Sequence, residues 1–281
     1  MKTYTIKTDD DLSLHARSFG KATKDLPLIC LPGLTRNAAD FDDLATVLAN
    51  ERQVISLDFR GRARSDRDPE WRRYIPPVYA NDVCSMMDQL DIPTAVFCGT
   101  SLGGLVTMLL AEAHPARVAG AILNDIGPEI DPAGLTRIQA YTGKLPGVNS
   151  WDEACNQVRT IYGDSLPDLT DDDFERLARR TYLEENNGRI EFDYDPNIGR
   201  AIREVDMQLG DPWTLYDALH QIPLLILRGE HSDILSAETV ARMLERNANA
   251  TATTIRDRGH APLLNESDST AAIRAFLGES L

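Results

Sequence analysis

An α/β fold, with a mostly parallel sheet covered by helices on both faces, is what this sequence predicts. Three observations carry that expectation. Short continuous apolar runs alternate with segments whose apolar residues recur at helical spacing. A sharp turn, Gly99-Thr100-Ser101-Leu102-Gly103, joins one such run to one such helix. The alternation stops after Pro128 and returns only near Leu224, which marks an insertion.

Taken in order, Tyr4 to Thr8 and Leu12 to Phe19 alternate around Asp9-Asp10-Asp11 and read as a hairpin of outer strands. Leu26 to Leu31 is continuously apolar, as a strand covered on both faces requires, and ends in Pro32-Gly33-Leu34-Thr35. The helix after it places Phe41, Leu44, Val47 and Leu48 on one face. Val54 to Leu57 is the next buried strand and ends at Asp58-Phe59-Arg60-Gly61-Arg62-Ala63-Arg64-Ser65. A helix from Val78 to Leu90 leads into the strand that ends at Cys98. The helix Leu102 to His114 follows the turn and is closed by Pro115. Val118 to Leu123 forms another strand, ending at Asn124-Asp125. Residues 128–220 read as a mainly helical insertion without a strong buried strand. Alternation resumes with Leu224 to Leu227, a helix Ala237 to Arg246, a strand Thr251 to Ile255 and a helix Ser267 to Leu277. The organisation expected is a core of residues 1–127 and 221–281 carrying a helical cap, 128–220.

Charge narrows the function classes. With 29 Lys and Arg against 44 Asp and Glu, the 281-residue chain carries a formal −15, which argues against nucleic acid and anionic membranes as partners. Between Glu129 and Asp217 acidic residues outnumber basic ones roughly two to one, which reads as a solvated acidic face or, alternatively, as mild repulsion of anionic substrates from the mouth of a site. Cys30, Cys84, Cys98 and Cys155 show no metal-ligand spacing, and Cys30 and Cys98 lie in apolar strands as small core residues. The N-terminus has no apolar run of signal-peptide length, and no stretch approaches a membrane span. The expectation is a cytoplasmic protein acting on a small, uncharged molecule, with no metal and no organic cofactor; oligomeric state is left open.

In such sheets chemistry gathers at the carboxyl ends of the strands. Ser101 sits on a strand-to-helix turn flanked by glycines, where its hydroxyl is thrust out and the helix behind offers free N–H groups. A serine hydroxyl is a poor nucleophile until a base removes its proton, and that base needs a third group to hold its tautomer. His260 follows the last predicted strand, and Asp233 follows the one before it. Asp125 also follows a strand and is the alternative to Asp233. His231 reads as a surface residue, and His15, His114 and His220 as structural ones. Asp58 and Arg60 read as braces of their loop. Trp71, Trp151, Tyr162, Phe174, Tyr182, Trp213 and Tyr216 are candidates to line a pocket under the cap.

These residues resemble the α/β-hydrolase superfamily, in its serine-nucleophile branch with a helical cap after the sixth strand of an eight-stranded sheet. The resemblance spans essentially the whole chain. It rests on Pro32-Gly33-Leu34, the Asp58-to-Ser65 loop, Gly99 to Gly104, Gly229 to Asp233 and Gly259-His260. It implies Ser101 as nucleophile, His260 as general base and then acid, Asp233 as orienting carboxylate, and the backbone N–H groups of Leu34 and Leu102 as oxyanion hole. Pro32 stands where the family frequently has histidine, which puts the hydrogen bonding of that loop in question.

A serine at the elbow excludes the branches that use a carboxylate nucleophile and form an alkyl-enzyme ester. Hydrolysis of a small carboxylic ester or lactone through an acyl-enzyme is expected. Two alternatives stand beside it. One is carbon–carbon bond hydrolysis of ring-cleavage diketone acids, with Arg137, Arg159, Arg179, Arg180 or Arg203 holding the acid. The other is a non-catalytic ligand-binding protein on the same fold.

Overall fold

The computed structural model describes residues 1–206 and 210–280. Its strands, in chain order, are β1 (Lys2–Lys7), β2 (Ser13–Phe19), β3 (Leu28–Leu31), β4 (Val54–Leu57), β5 (Ala95–Thr100), β6 (Val118–Asn124), β7 (Tyr182–Glu184), β8 (Ile190–Phe192), β9 (Leu224–Gly229) and β10 (Ala250–Ile255). Eight of them form one sheet in the order β1-β2-β4-β3-β5-β6-β9-β10. The β1–β2 and β2–β4 pairs are antiparallel, and the rest of the sheet is parallel. The helices are α1 (Asp42–Leu48), α2 (Pro76–Gln89), α3 (Leu102–Ala113), α4 (Pro132–Tyr141), α5 (Trp151–Tyr162), α6 (Asp171–Thr181), α7 (Asn197–Glu204), α8 (Pro212–Asp217), α9 (Ala237–Arg246) and α10 (Ser267–Ser280).

The pleat sends alternate residues of each central strand to opposite faces, and a two-sided core follows. Ile29 and Leu31 of β3 and Phe97 of β5 pack with Val83 and Met87 of α2, Val106 and Leu110 of α3, and Met243 of α9. Leu28 and Cys30 of β3 and Val96 and Cys98 of β5 face the other way, against Leu44 and Leu48 of α1 and Ile273 and Leu277 of α10. Cys30 and Cys98 are free thiols inside that second layer. Val47 departs from the expected stripe: it is 43% exposed while Phe41, Leu44 and Leu48 are buried. The helix is only seven residues long, and its apolar face ends beside Val47.

The inserted segment has its own apolar centre of Val158, Phe174, Leu177, Ala178, Tyr182 and Ile190 among others, drawn from α5, α6, β7 and β8. Beside its helices it holds one element for which the sequence offers no sign. β7 and β8 pair as an antiparallel ribbon of three residues each, too short to show an alternating pattern in the sequence. Among the described residues no helix is long and apolar enough to cross a membrane.

The loop after β4 is braced by charge. Asp58 accepts from Ala38 N at 2.7 Å and pairs with His15 Nδ1 at 2.8 Å. Arg60 is buried against three carboxylates: Asp82 and Asp68 at 2.6 Å and Asp10 at 2.8 Å. One guanidinium cannot neutralise all three. Burial lifts the Asp82 carboxyl to about 6, against the pull of Arg60, while the hydrogen bond from Arg60 holds Asp10 far below its ordinary range. A raised carboxyl binds protons more tightly in the folded state, so its contribution to stability is fullest in acid and declines as pH rises towards 6. A shift of this size is worth on the order of 2–3 kcal/mol. Urea unfolding should therefore show the stability of the native protein, relative to Asp82→Asn, falling by roughly that amount between pH 4 and 7. A pH-independent difference would refute this account.

Candidate active site

Ser101 stands between β5 and α3 with φ 51° and ψ −113°, a left-handed backbone that a non-glycine residue adopts only when its surroundings impose it. Those surroundings are visible. Its N–H donates to Asn124 O at 3.0 Å, and its carbonyl accepts from Gly104 and Leu105 at the start of α3. Gly99 lies against Gly103 so closely that a Cβ there would sit 2.3 Å from the Gly103 carbonyl carbon. The strand and helix can approach in this way only through glycine.

His260 lies beyond β10, and its Nε2 is 2.9 Å from Ser101 Oγ. Its Nδ1 is 2.8 Å from Asp125 Oδ2. The expectation for Asp233 is thereby corrected. Asp233 forms a bidentate pair with Arg137 of α4 at 2.6 and 2.8 Å, and that hydrogen bond lowers its carboxyl below the ordinary range. The physical reason lies in where each aspartate leaves its strand. Asp125 follows the last residue of β6 directly and takes a left-handed φ of 55°, which turns it across the sheet edge. Asp233 lies four residues past the end of β9 and is caught by a helix of the inserted segment.

Asp125 is wholly buried and has three donors. Gly229 N reaches Oδ1 at 2.8 Å, and Ser232 Oγ shares Oδ2 with the imidazole at 2.6 Å. Those three hydrogen bonds fix the orientation of the Asp125 side chain towards His260. Asn124, which the sequence reading passed over, ties the strand ends together. Its Nδ2 donates to Thr100 Oγ1 at 3.0 Å and to Pro262 O, two residues past His260, at 2.9 Å.

A cavity of about 130 Å³ opens beside Ser101 and His260. Gly33 and Leu34 form part of its wall, and a Cβ at Gly33 would lie 3.9 Å from Ser101 Cβ, so the loop after β3 abuts Ser101. Leu102 is the first residue of α3, where the N–H has no carbonyl of its own helix to bond. Ile138, Leu166, Leu177 and Leu263 supply apolar wall. Of the seven candidate aromatics only Tyr162 lines this cavity. Phe174 and Tyr182 belong to the core of the inserted segment, and Tyr216 to the main core. Tyr141, not singled out beforehand, lines it as well; burial pushes its hydroxyl well above the usual range and keeps it a neutral donor.

Of the five candidate arginines, Arg180 alone lines the cavity, joined there by Arg36 and Arg176. Each holds a carboxylate: Arg36 grips Asp40 at 2.6–2.7 Å, Arg180 meets Asp43 at 3.1 Å, and Arg176 pairs with Asp173. Arg159 and Arg179 pair with Asp171 and Glu175, and Arg203 donates to Thr142 O. His231 is exposed, as expected.

The α/β hydrolase fold family model matches residues 27–267. A 3-hydroxybutyrate-oligomer hydrolase of Cupriavidus necator is 31% identical over 247 residues, which cover 84% of this chain and 82% of that protein. An sn-1-specific diacylglycerol lipase of Danio rerio is 26% identical over 237 residues, covering 83% of this chain and 72% of that one. Among solved structures, an alpha/beta hydrolase from Novosphingobium aromaticivorans superposes with a TM-score of 0.94 at 43% identity, covering 99% of this chain and 98% of the other.

Proposed function

The chain belongs to the α/β-hydrolase fold family, and from that premise we propose that it is a serine hydrolase cleaving small carboxylic esters through an acyl-enzyme. One observation carries the reading: Ser101 Oγ, His260 and Asp125 form a single hydrogen-bonded line, at 2.9 and 2.8 Å, opening on a cavity. His260 takes the proton of Ser101 as the hydroxyl attacks the ester carbonyl. Asp125 holds the proton-bearing Nδ1 and stabilises the imidazolium that forms. The N–H groups of Leu34 and Leu102 receive the negative charge of the tetrahedral intermediate. The imidazolium then protonates the leaving alcohol, and a water activated by the same nitrogen releases the acid.

The cavity supports a small acyl or alcohol portion. Its volume is close to that of a cavity of about 150 Å³ that accepts one benzene. The relatives named for 3-hydroxybutyrate oligomers and diacylglycerol both point to substrates with carboxylic ester bonds. A diketone acid would need a free cation in the pocket, and the three arginines on its wall are each engaged by an aspartate. This favours ester over carbon–carbon hydrolysis. The cap, residues 128–220 in this proposal, excludes water from the acyl-enzyme and sets the fit of the substrate.

A fluorophosphonate probe should label the native protein, and the label should vanish in Ser101→Ala. On a series of p-nitrophenyl esters, hydrolysis should be fastest for acyl chains of about two to six carbons and fall steeply beyond. Folded native protein that takes no label and cleaves no ester would make it a binding protein.

A further inference from the structure

We propose that Arg62 is the positioning residue of the oxyanion hole. Its guanidinium grips the Leu34 carbonyl with two nitrogens and sets the Leu34 N–H towards the Ser101 adduct. The proposal rests on the serine-hydrolase reading above.

The observation behind it is a charge without a counter-charge. Arg62 is 1% exposed, and no carboxylate among the described residues lies within ion-pairing distance of it. Arg60, two residues earlier in the same loop, is held by three. A buried cation that lacks an anion is a large cost to the fold, offset only through the groups that do touch it. They are few and specific. Nε and Nη2 both donate to Leu34 O, at 3.0 and 2.8 Å, and Nη1 donates to Arg60 O and Tyr79 Oη. The ring of Tyr79 lies 4.7 Å from the guanidinium carbon and offers the cation a π face.

Two of the four hydrogen bonds converge on one carbonyl, and that carbonyl belongs to the residue whose N–H is the proposed oxyanion donor. The Leu34 N–H belongs to the Gly33–Leu34 peptide and the gripped carbonyl to the next one; the two planes meet at the Leu34 Cα, so anchoring the second fixes one end of the turn from which the N–H is aimed. Pro32 brings no side-chain donor to the loop, and a fixed cation reaching in from the β4 loop supplies the bracing. The loop's other ties fall on its neighbours, with Arg36 N donating to Gly33 O at 3.2 Å, Asn37 Nδ2 to Arg180 O at 2.7 Å and Ala38 N to Asp58 Oδ1 at 2.7 Å, whereas the two bonds from Arg62 fall on Leu34 itself. The same placement leaves a positive charge in a dry surrounding behind the loop where the oxyanion forms, which favours the transition state over the neutral ester. Arg62 is itself locked from the cap side, since its backbone pairs with Tyr194 and Ala63 N donates to Asp193 O.

The test compares Arg62→Lys and Arg62→Met with the native enzyme, with Ser101→Ala as reference. Three quantities are read: kcat and KM on a short-chain p-nitrophenyl ester, and the inhibition constant of a phenylboronic acid, which forms a tetrahedral adduct on the serine. Loss of the positioning should lower kcat about 10²-fold in Arg62→Met and about tenfold in Arg62→Lys, with KM within about threefold of native. Boronate affinity should weaken in step with kcat/KM, because the adduct needs the same N–H. Lysine retains the charge but has one nitrogen, so an unchanged kcat and boronate affinity in Arg62→Lys would overturn the two-nitrogen grip, even if Arg62→Met does not fold. A fall in kcat with boronate binding unchanged would also overturn the proposal. If the native protein neither labels nor hydrolyses, the serine-hydrolase reading fails instead. If Ser101→Ala is dead and the Arg62 variants are normal, only the role of Arg62 is lost.

Discussion

Asp125→Asn should leave the protein folded and lower kcat by about 10³–10⁴-fold, the scale on which such a change acts in serine triads. The argument starts from donors. Asp125 receives Gly229 N–H on one oxygen, and Ser232 O–H and the imidazole on the other. Asparagine has one oxygen to offer. The Gly229 amide donates to Oδ1 at 2.8 Å, and leaving it bare in the core costs about 1–3 kcal/mol, so the amide oxygen takes the Oδ1 position. The NH₂ group then faces Ser232 Oγ, which already accepts from Ile234 N and Leu235 N, and His260 Nδ1, which must accept from it. An imidazole that accepts at Nδ1 carries its proton at Nε2, the nitrogen facing Ser101 Oγ, and can no longer serve as the base. Asp233→Asn removes only the charge of a half-exposed pair with Arg137, and kcat should change less than about tenfold. Steady-state kinetics on one short-chain ester separates the two. A crippled Asp233 variant beside a near-normal Asp125 variant would reverse the assignment.

The contrast between these two aspartates shows what a sequence can and cannot reveal here. Ser101 and His260 were legible because each is tied to a strand end by a local pattern: glycines about the serine, and Gly259-His260 after the last strand. Asp125 and Asp233 share that property, and chain order serine, acid, histidine is satisfied by either. What separates them is side-chain direction after the strand, and the capture of Asp233 by an arginine 96 positions away. The directness with which Asp125 follows β6 was the one local signal in its favour. Arg62 was illegible for a related reason: an arginine in a polar loop reads as solvated, and its burial arises only when Tyr74, Tyr79 and the Leu34 loop close round it. The sheet itself could be read almost throughout, since strands buried on both faces are continuous apolar runs. The ribbon of β7 and β8 could not, because three residues make no period.

Gly103→Ala should abolish most activity and destabilise the fold by about 3 kcal/mol or more, at the upper end of what overpacking costs. A Cβ on Gly103 would sit 2.0 Å from Leu31 O and 2.6 Å from Leu31 C. These are backbone atoms of the central strand β3, not the end of a side chain that could swing aside. Relief must come from moving α3 away from the sheet or bending the end of β3, and both displace reacting groups. Ser101 precedes α3, and Leu34 follows Leu31 by three residues, so the proposed nucleophile and oxyanion donor would shift together. The activity lost should therefore exceed what the fraction unfolded explains. Gly163→Ala is the control: its Cβ would meet nothing nearer than Arg159 Cγ at 3.7 Å, and its φ of −57° suits alanine. Denaturant midpoints and kcat of both variants, measured well below the melting temperature, decide the matter. A Gly103→Ala protein with native stability and native kcat would mean that the close approach of helix and strand at the elbow is not what holds Ser101 in place.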